Sequence, residues 1–119
     1  MLARFTQIDY DRDMALVAVD KAQPAERFLG VARFSGEPNG KKAEIAVAVG
    51  DHWQGKGIGA TLMEHLLVIA RERGAEFMRG YVLGENTHML NLARKEGFDI
   101  SWALGSHQYE INMDLRQKK

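Results

Sequence analysis

The sequence of 119 residues contains no cysteine, only two prolines and no excess of charge of either sign. The absence of cysteine excludes disulfides, thiolate catalysis and cysteine-ligated zinc or iron–sulfur sites, and it fits a reducing cytosol. Sixteen basic residues balance sixteen acidic ones, whereas nucleic-acid-binding domains normally carry a basic excess. No apolar run approaches the ~18 residues of a transmembrane helix, and no signal-peptide pattern opens the chain. These absences predict one compact cytoplasmic domain that binds neither nucleic acid nor a membrane.

Histidine is scarce as well. The four histidines show no metal-ligand spacing, and no cluster of acidic residues replaces them as ligands. We therefore expect no metal cofactor.

The first half of the chain favours β-strands. Apolar, β-prone runs at Met14–Val19, Arg27–Ser35 and Ala43–Val49 predict three strands, preceded by an acidic turn at Asp9–Asp13. The segment Gly36–Gly40 lies between the last two strands and contains the proline, asparagine and glycine that tight turns use. Short connections of this kind predict an antiparallel meander.

From Ile58 onward the hydrophobic pattern changes to the period of a helix. Its apolar stripe continues to Ala70, and Gly74 follows where a glycine commonly ends a helix. The remaining patterns predict a strand, a helix and two strands, in that order, at Phe77–Leu83, Thr87–Glu96, Phe98–Leu104 and Tyr109–Leu115. This order predicts a single α/β domain of the α+β type over residues 1–119. Its mixed sheet would contain the antiparallel meander, one strand–helix–strand crossover and the C-terminal strands.

The segment Gln54-Gly-Lys-Gly-Ile-Gly59 lies between a predicted strand and the long helix. Its main-chain N–H groups, together with the helix N-terminus, favour phosphate binding, while a tight connection that merely uses glycine is the alternative. Two known phosphate motifs do not fit. Gly57 stands where a P-loop requires serine or threonine, and a dinucleotide-binding fold does not place a meander before its glycines.

The same segment resembles the acyl-CoA motif of the GCN5-related N-acetyltransferase (GNAT) family, in which Gln or Arg precedes spaced glycines at the start of a helix. A second family element, an asparagine followed by a helix that ends in Gly-Phe, is similar to Asn86–Phe98. The resemblance extends from about Met14 to the C-terminus. The stretches Ala3–Met14 and Ala43–Ala46 more narrowly resemble the acetyltransferase domain of bacterial Pat-type protein lysine acetyltransferases, which act on AMP-forming acyl-CoA synthetases.

The resemblance implies that acetyl-CoA is the cosubstrate and that an amine attacks it directly in a ternary complex. It implies that the main chain of Val47 and Val49 pairs with the pantetheine arm and that the Val47 N–H polarises the thioester carbonyl. The resemblance also implies that Asn86 binds the pantetheine arm. The alternative is that Asn86 serves only as a helix N-cap. The residues implied around the diphosphate are Gln54, Gly55, Lys56, Gly57, Ile58, Gly59 and Ala60, and those implied along the cofactor wall are Met89, Leu92, Ala93 and Lys95.

Glu44 is the candidate general base. An amine must be neutral to attack a thioester, and deprotonating a lysine at pH 7 costs about 4.6 kcal/mol. Strand alternation in Ala43–Val49 places Glu44 on one face with two alanines, and burial on that face would make its carboxylate a stronger base. A solvated glutamate at a strand end is the alternative, and the Pat-type resemblance favours the catalytic role.

Two departures from the family pattern leave other functions open. The family's N-terminal strand and helix are expected to be absent, and Ala93 stands where many members carry a tyrosine that protonates the leaving thiolate. The expected acceptor is a lysine-bearing protein. The alternatives are a small-molecule amine acetyltransferase and a non-catalytic module that binds acyl-CoA, with a nucleotide-binding domain the most distant. An exposed sheet edge would also allow pairing with a second copy, so a homo-oligomer stays open.

Overall fold

A computed structural model describes residues 3–20, 27–50 and 57–116 of the chain. These residues form seven strands and two helices. In chain order they are β1 (Ala3–Asp9), β2 (Asp13–Asp20), β3 (Arg27–Gly36), β4 (Lys42–Val49), α1 (Ile58–Glu72), β5 (Phe77–Leu83), α2 (Thr87–Glu96), β6 (Asp99–Trp102) and β7 (Gln108–Asp114).

All seven strands belong to one sheet, in the order β1-β2-β3-β4-β5-β7-β6. Strands β1 to β4 form an antiparallel meander, and β7 pairs antiparallel with both β5 and β6. The pair β4–β5 is parallel, because α1 carries the chain back across the sheet between them. The predicted mixed sheet, with its meander and its crossover, is confirmed.

The meander has four strands, however, and not the three that the sequence predicts. β1 pairs with β2 along its whole length, yet only Ala3 and Phe5 are partly buried. An edge strand of this kind needs main-chain pairing more than apolar side chains, so its sequence carries little of the pattern that identifies strands. The end of β1 is linked to the residue that follows α1 by an ion pair between Asp9 and Arg73, with 2.6 Å between oxygen and nitrogen.

Both helices pack on the same face of the sheet, and the hydrophobic core lies between them and the strands. Leu62 and Leu66 of α1 are fully buried, as are the inward-facing side chains of β2 and β3, such as Ala18 and Ala32. Leu92 joins α2 to the first turn of α1. Glycines follow both helices, as predicted, at Gly74 and Gly97. Within the described residues, neither helix combines the length and the apolar character that a membrane span requires.

The opposite face of the sheet, which we call the outer face, carries the side chains of the other parity. Val17 and Val31 are half-buried there, and Glu44, Ala46 and Ala48 are exposed. No helix of the described residues covers the outer face, since α1 and α2 both lie on the core side.

Candidate active site

The two parallel strands in the middle of the sheet separate after a short paired stretch. β4 pairs with β5 only from Lys42 to Glu44. Gly80 lies at the point of separation, where a Cβ atom on that residue would come within 3.0 Å of the Ile45 carbonyl oxygen. Beyond this point Val47 and Val82 line a small cavity of about 20 Å³ between the strands. The separation creates a gap in the sheet, which we call the β4–β5 gap.

The main chain of β4 points into this gap. The Glu37 N–H donates to the Lys42 carbonyl, and the Gly50 N–H donates to the Leu29 carbonyl, so the even-numbered residues of β4 face β3. Because consecutive residues of a strand point their main-chain groups in opposite directions, Val47 directs its N–H and carbonyl toward β5. The same alternation places the main chain of Val49 on that side of β4.

The first turn of α1 lies at the open end of the gap. Gly57 caps the helix in a left-handed conformation with φ of 85°, and no side chain of the described residues caps its N–H groups. No acidic residue occupies the first turn. A Cβ atom on Gly59 would lie 3.1 Å from Leu92 and 3.4 Å from Val49, so glycine lets the helix start approach both α2 and β4. A helix start with uncapped N–H groups favours an anion.

Four of the seven residues predicted to surround the diphosphate lie at this helix start. Gly57, Ile58, Gly59 and Ala60 form the start of α1, with Ile58 and Gly59 buried and Ala60 half-buried. Gln54, Gly55 and Lys56 lie outside the described residues.

The start of α2 lies at the same end of β5. Asn86 caps this helix, because its side-chain oxygen accepts a hydrogen bond from the Met89 N–H at 3.1 Å. Its side-chain amide group makes no hydrogen bond within the described part of the chain. Met89 lines the small cavity of the β4–β5 gap. The other wall residues that the resemblance implies differ in exposure: Leu92 and Ala93 are buried in the core, and Lys95 is exposed.

Glu44 lies on the outer face, at the last paired position of β4, as the alternation predicts. Its expected burial is wrong, because the residue is exposed. The outer face has no covering layer in the described residues, so a carboxylate there keeps its contact with solvent. Glu44 instead forms part of an open cleft of about 400 Å³, lined by Ser35, Gly36, Glu37, Lys42, Ala43, Glu44, Phe77, Met78, Arg79 and Asn112.

Two residues of β5 at this site were not singled out by the sequence analysis. Arg79 is the register partner of Glu44, and Tyr81 follows it on the outer face beside the gap. Both are exposed. The alternation in Phe77–Leu83 was the available signal, since every second residue of that strand is buried. The neighbour of Glu44 could not be identified from sequence, because the pairing joins strands that are separated by α1.

The clearest electrostatic perturbations lie outside the gap. Burial raises the pKa of Glu96 at the end of α2 above its ordinary value, and the charge and hydrogen bond of Glu64 on α1 raise it further. Hydrogen bonds from Arg116 lower the pKa of Asp114. Across the described residues, no group of three or more histidine or acidic side chains is arranged to hold a metal ion.

The chain is similar to known proteins in both sequence and fold. The model of the acetyltransferase (GNAT) family matches residues 2–98. An acetyltransferase of Pseudomonas aeruginosa is 33% identical over 98 residues, covering 82% of this chain and 53% of that relative. The acetyltransferase Pat of Mycolicibacterium smegmatis is 40% identical over 67 residues, covering 56% of this chain and 20% of Pat.

Among solved structures, the crystal structure of the GNAT domain of PAT from S. lividans matches with a TM-score of 0.74 at 25% identity. The match covers 92% of this chain and 65% of that one. The chain spans about half the length of the Pseudomonas relative and a fifth of the length of Pat. The family match covers most of the chain, and the fold of the PAT domain matches that of this chain. The chain belongs to the acetyltransferase (GNAT) family.

Proposed function

We propose that the protein transfers the acetyl group of acetyl-CoA to the side-chain amine of a protein lysine, with Glu44 as the general base. The observation that carries this proposal is the β4–β5 gap, into which Val47 directs its main-chain N–H and carbonyl. A pantetheine arm contains amide groups and binds there in the manner of an added strand. The Val47 N–H then donates to the thioester carbonyl oxygen, where negative charge develops during attack.

The diphosphate of the cofactor binds at the start of α1. The N–H groups of Gly57, Ile58 and Gly59 supply donors there, and the helix dipole favours the negative charge. Gln54, Gly55 and Lys56 complete the site in this proposal. The small size of Gly59 keeps the helix start close to Val49, so the diphosphate and the pantetheine arm bind to adjacent elements.

The acceptor amine reaches the thioester from the outer face. At the base of the gap the opposite side is closed by Met63 and Met89, which are both buried. Glu44 lies on the open side, at the last paired position before the gap. The neutral amine attacks the carbonyl carbon, the carbon–sulfur bond breaks, and the proton of the amine passes to Glu44.

The leaving group is the thiolate of CoA. Ala93, at the position of the usual tyrosine, is fully buried and offers no proton. A free thiol has a pKa near 8.5, so its thiolate leaves without protonation at a moderate energetic cost. With no cysteine in the chain, an acetyl-cysteine intermediate has no residue to form on.

A protein lysine is the proposed acceptor because of the similarity to Pat and to the GNAT domain of PAT. The absence of cysteine supports a cytoplasmic location for this reaction. A polyamine or an aminoglycoside is the competing acceptor. Comparing kcat/KM for a folded acyl-CoA synthetase with kcat/KM for these amines distinguishes the two classes, and a higher value for the synthetase is expected.

The test is acetyl transfer by the wild type and by Glu44→Gln, followed by mass spectrometry of the acceptor. We expect the substitution to lower kcat by at least about a hundredfold, because general-base catalysis contributes about 10²–10⁴ in rate. Glu37→Gln is the matched control, since Glu37 lines the same cleft but lies in the turn after β3. A thermal-shift titration with acetyl-CoA shows that each variant still binds the cofactor. Equal rates for Glu44→Gln and the wild type would exclude Glu44 as the base, and cofactor binding without any transfer would favour the non-catalytic module.

A further inference from the structure

The register of β4 and β5 places a guanidinium group beside the proposed base. Arg79 is the direct partner of Glu44, and neighbouring strands lie about 4.8 Å apart. Both side chains extend from the outer face into the same open cleft of about 400 Å³. An acceptor that brings its amine to Glu44 therefore brings its adjacent groups within reach of Arg79.

Arg79 differs from two other arginines near this end of the sheet, Arg73 and Arg116. Arg73 pairs with Asp9 and lies over the ring of Phe34, and Arg116 pairs with Asp114. In the part of the chain that the structure describes, no carboxylate lies within ion-pair distance of Arg79. Arg79 is exposed and lines the cleft, where its guanidinium is available to an anion that arrives with the acceptor.

We propose that Arg79 binds a carboxylate that neighbours the target amine, so that lysines next to an acidic residue are the preferred acceptors. This inference rests on the proposed function. The cleft then presents two complementary charges to its acceptor, because Glu44 attracts the ammonium group and Arg79 attracts the carboxylate. A guanidinium binds a carboxylate through two parallel hydrogen bonds, which gives direction as well as attraction.

The experiment uses a set of short peptides with one central lysine and alanines around it. Each peptide carries one glutamate, at one of the two positions before the lysine or at one of the two positions after it. A peptide with alanine at all of these positions is the reference. For the wild type we expect kcat/KM to rise about three- to fivefold for at least one glutamate position, which is the range of an exposed ion pair. In Arg79→Ala, kcat/KM for the glutamate peptide divided by kcat/KM for the all-alanine peptide falls to about 1. In Arg79→Glu, a peptide with arginine in place of that glutamate becomes the better acceptor.

Arg33→Ala is the matched control. Arg33 is exposed on the outer face of β3, and its register partner is Ala46 rather than Glu44. This variant keeps the preference of the wild type. A preference that persists in Arg79→Ala, or no preference in the wild type, would overturn the proposal.

Binding without transfer separates this proposal from the proposed function. Fluorescence anisotropy of the labelled peptides is measured on Glu44→Gln and on Glu44→Gln combined with Arg79→Ala. Both proteins are saturated with CoA, which has no acetyl group to transfer. Tighter binding of the glutamate peptide that depends on Arg79 supports the role of Arg79 even if Glu44 proves not to be the base. Equal binding of all peptides to both variants counts against Arg79 whatever the role of Glu44.

Discussion

Glu44 on β4 and Arg79 on β5 are register partners at the last paired position before the two parallel strands separate. Both residues are exposed on the outer face, and within the described chain they form no ion pair with each other. Beyond them the strands open, and Val47 directs its main chain into the space between. A carboxylate, a guanidinium and a main-chain N–H thus lie around one opening in the sheet.

Gly80→Ala tests the geometry of this opening. The added methyl group meets the main-chain oxygen of Ile45 at 3.0 Å, so β5 must shift against β4 where the gap begins. We expect a loss of about 1–3 kcal/mol in unfolding free energy and an acetyl-CoA affinity weakened at least tenfold. Denaturant unfolding and isothermal titration calorimetry measure the two effects.

Gly36→Ala is the matched control for that variant. Its methyl group meets the main-chain oxygen of Arg12, also at 3.0 Å, but at the far hairpin end of β3. It lowers stability by a similar amount and leaves acetyl-CoA affinity within twofold of the wild type. If both variants bind acetyl-CoA equally well, the cofactor does not occupy the β4–β5 gap.

Asn86 has two separable roles in this account. Its side-chain oxygen caps α2, and its amide group is available as a donor to the pantetheine arm. Asn86→Ala removes both, and losing the cap costs about 1 kcal/mol, or roughly 3–6 °C in melting temperature. Asn86→Asp keeps the cap and removes the donor. We expect it to retain the melting temperature but to weaken acetyl-CoA binding about tenfold, and unchanged affinity would leave Asn86 with the capping role alone.

The carboxyl pair of Glu64 and Glu96 predicts a pH dependence of stability. Burial and the neighbouring carboxylate raise the pKa of Glu96 in the folded state, so the protonated form is favoured by folding. The resulting stabilisation is complete below the pKa of a glutamate in the unfolded chain, about 4.3. It is lost as pH rises through the raised pKa that Glu96 has in the folded state.

Glu96→Gln keeps the hydrogen-bonding group without the charge. At pH 7 it should raise the melting temperature by about 1–2 °C, since the group is only partly buried and its effect is a few tenths of a kcal/mol. The difference from the wild type should shrink as pH falls toward 4. Glu72→Gln, on the exposed side of α1, is the control. A Glu96→Gln protein that is less stable than the wild type at pH 7 would contradict this reading of the pair.

The sequence predicts those parts of the fold that leave a periodic pattern. The stripe from Ile58 to Ala70 and the glycines after each helix identify α1 and α2, and the alternation in Ala43–Val49 assigns Glu44 to its face. β1 leaves no such pattern, because an edge strand is held mainly by its pairing with β2. The prediction that Glu44 is buried is wrong for a different reason. Alternation says which face a residue occupies, but the coverage of that face depends on the elements packed against it.

Neither the β4–β5 gap nor the position of Arg79 beside Glu44 could be predicted from the sequence. Both depend on how far two strands pair that are separated in sequence by a whole helix. A short contact that stops at Glu44 leaves no trace in either strand alone. Gly80 is the one local hint, since a glycine inside a strand often marks a close approach of another main chain.

The central claim is that acetyl-CoA binds between β4 and β5 with its diphosphate at the start of α1. The most direct measurement is the change of backbone amide resonances in ¹⁵N-labelled protein during titration with acetyl-CoA. The largest shifts are expected at Val47, Gly57, Gly59 and Tyr81, with Ala15 and Arg33 on the outer face unchanged. Saturable binding that shifts Ala15 and Arg33 but leaves Val47 and Gly59 in place would contradict the account.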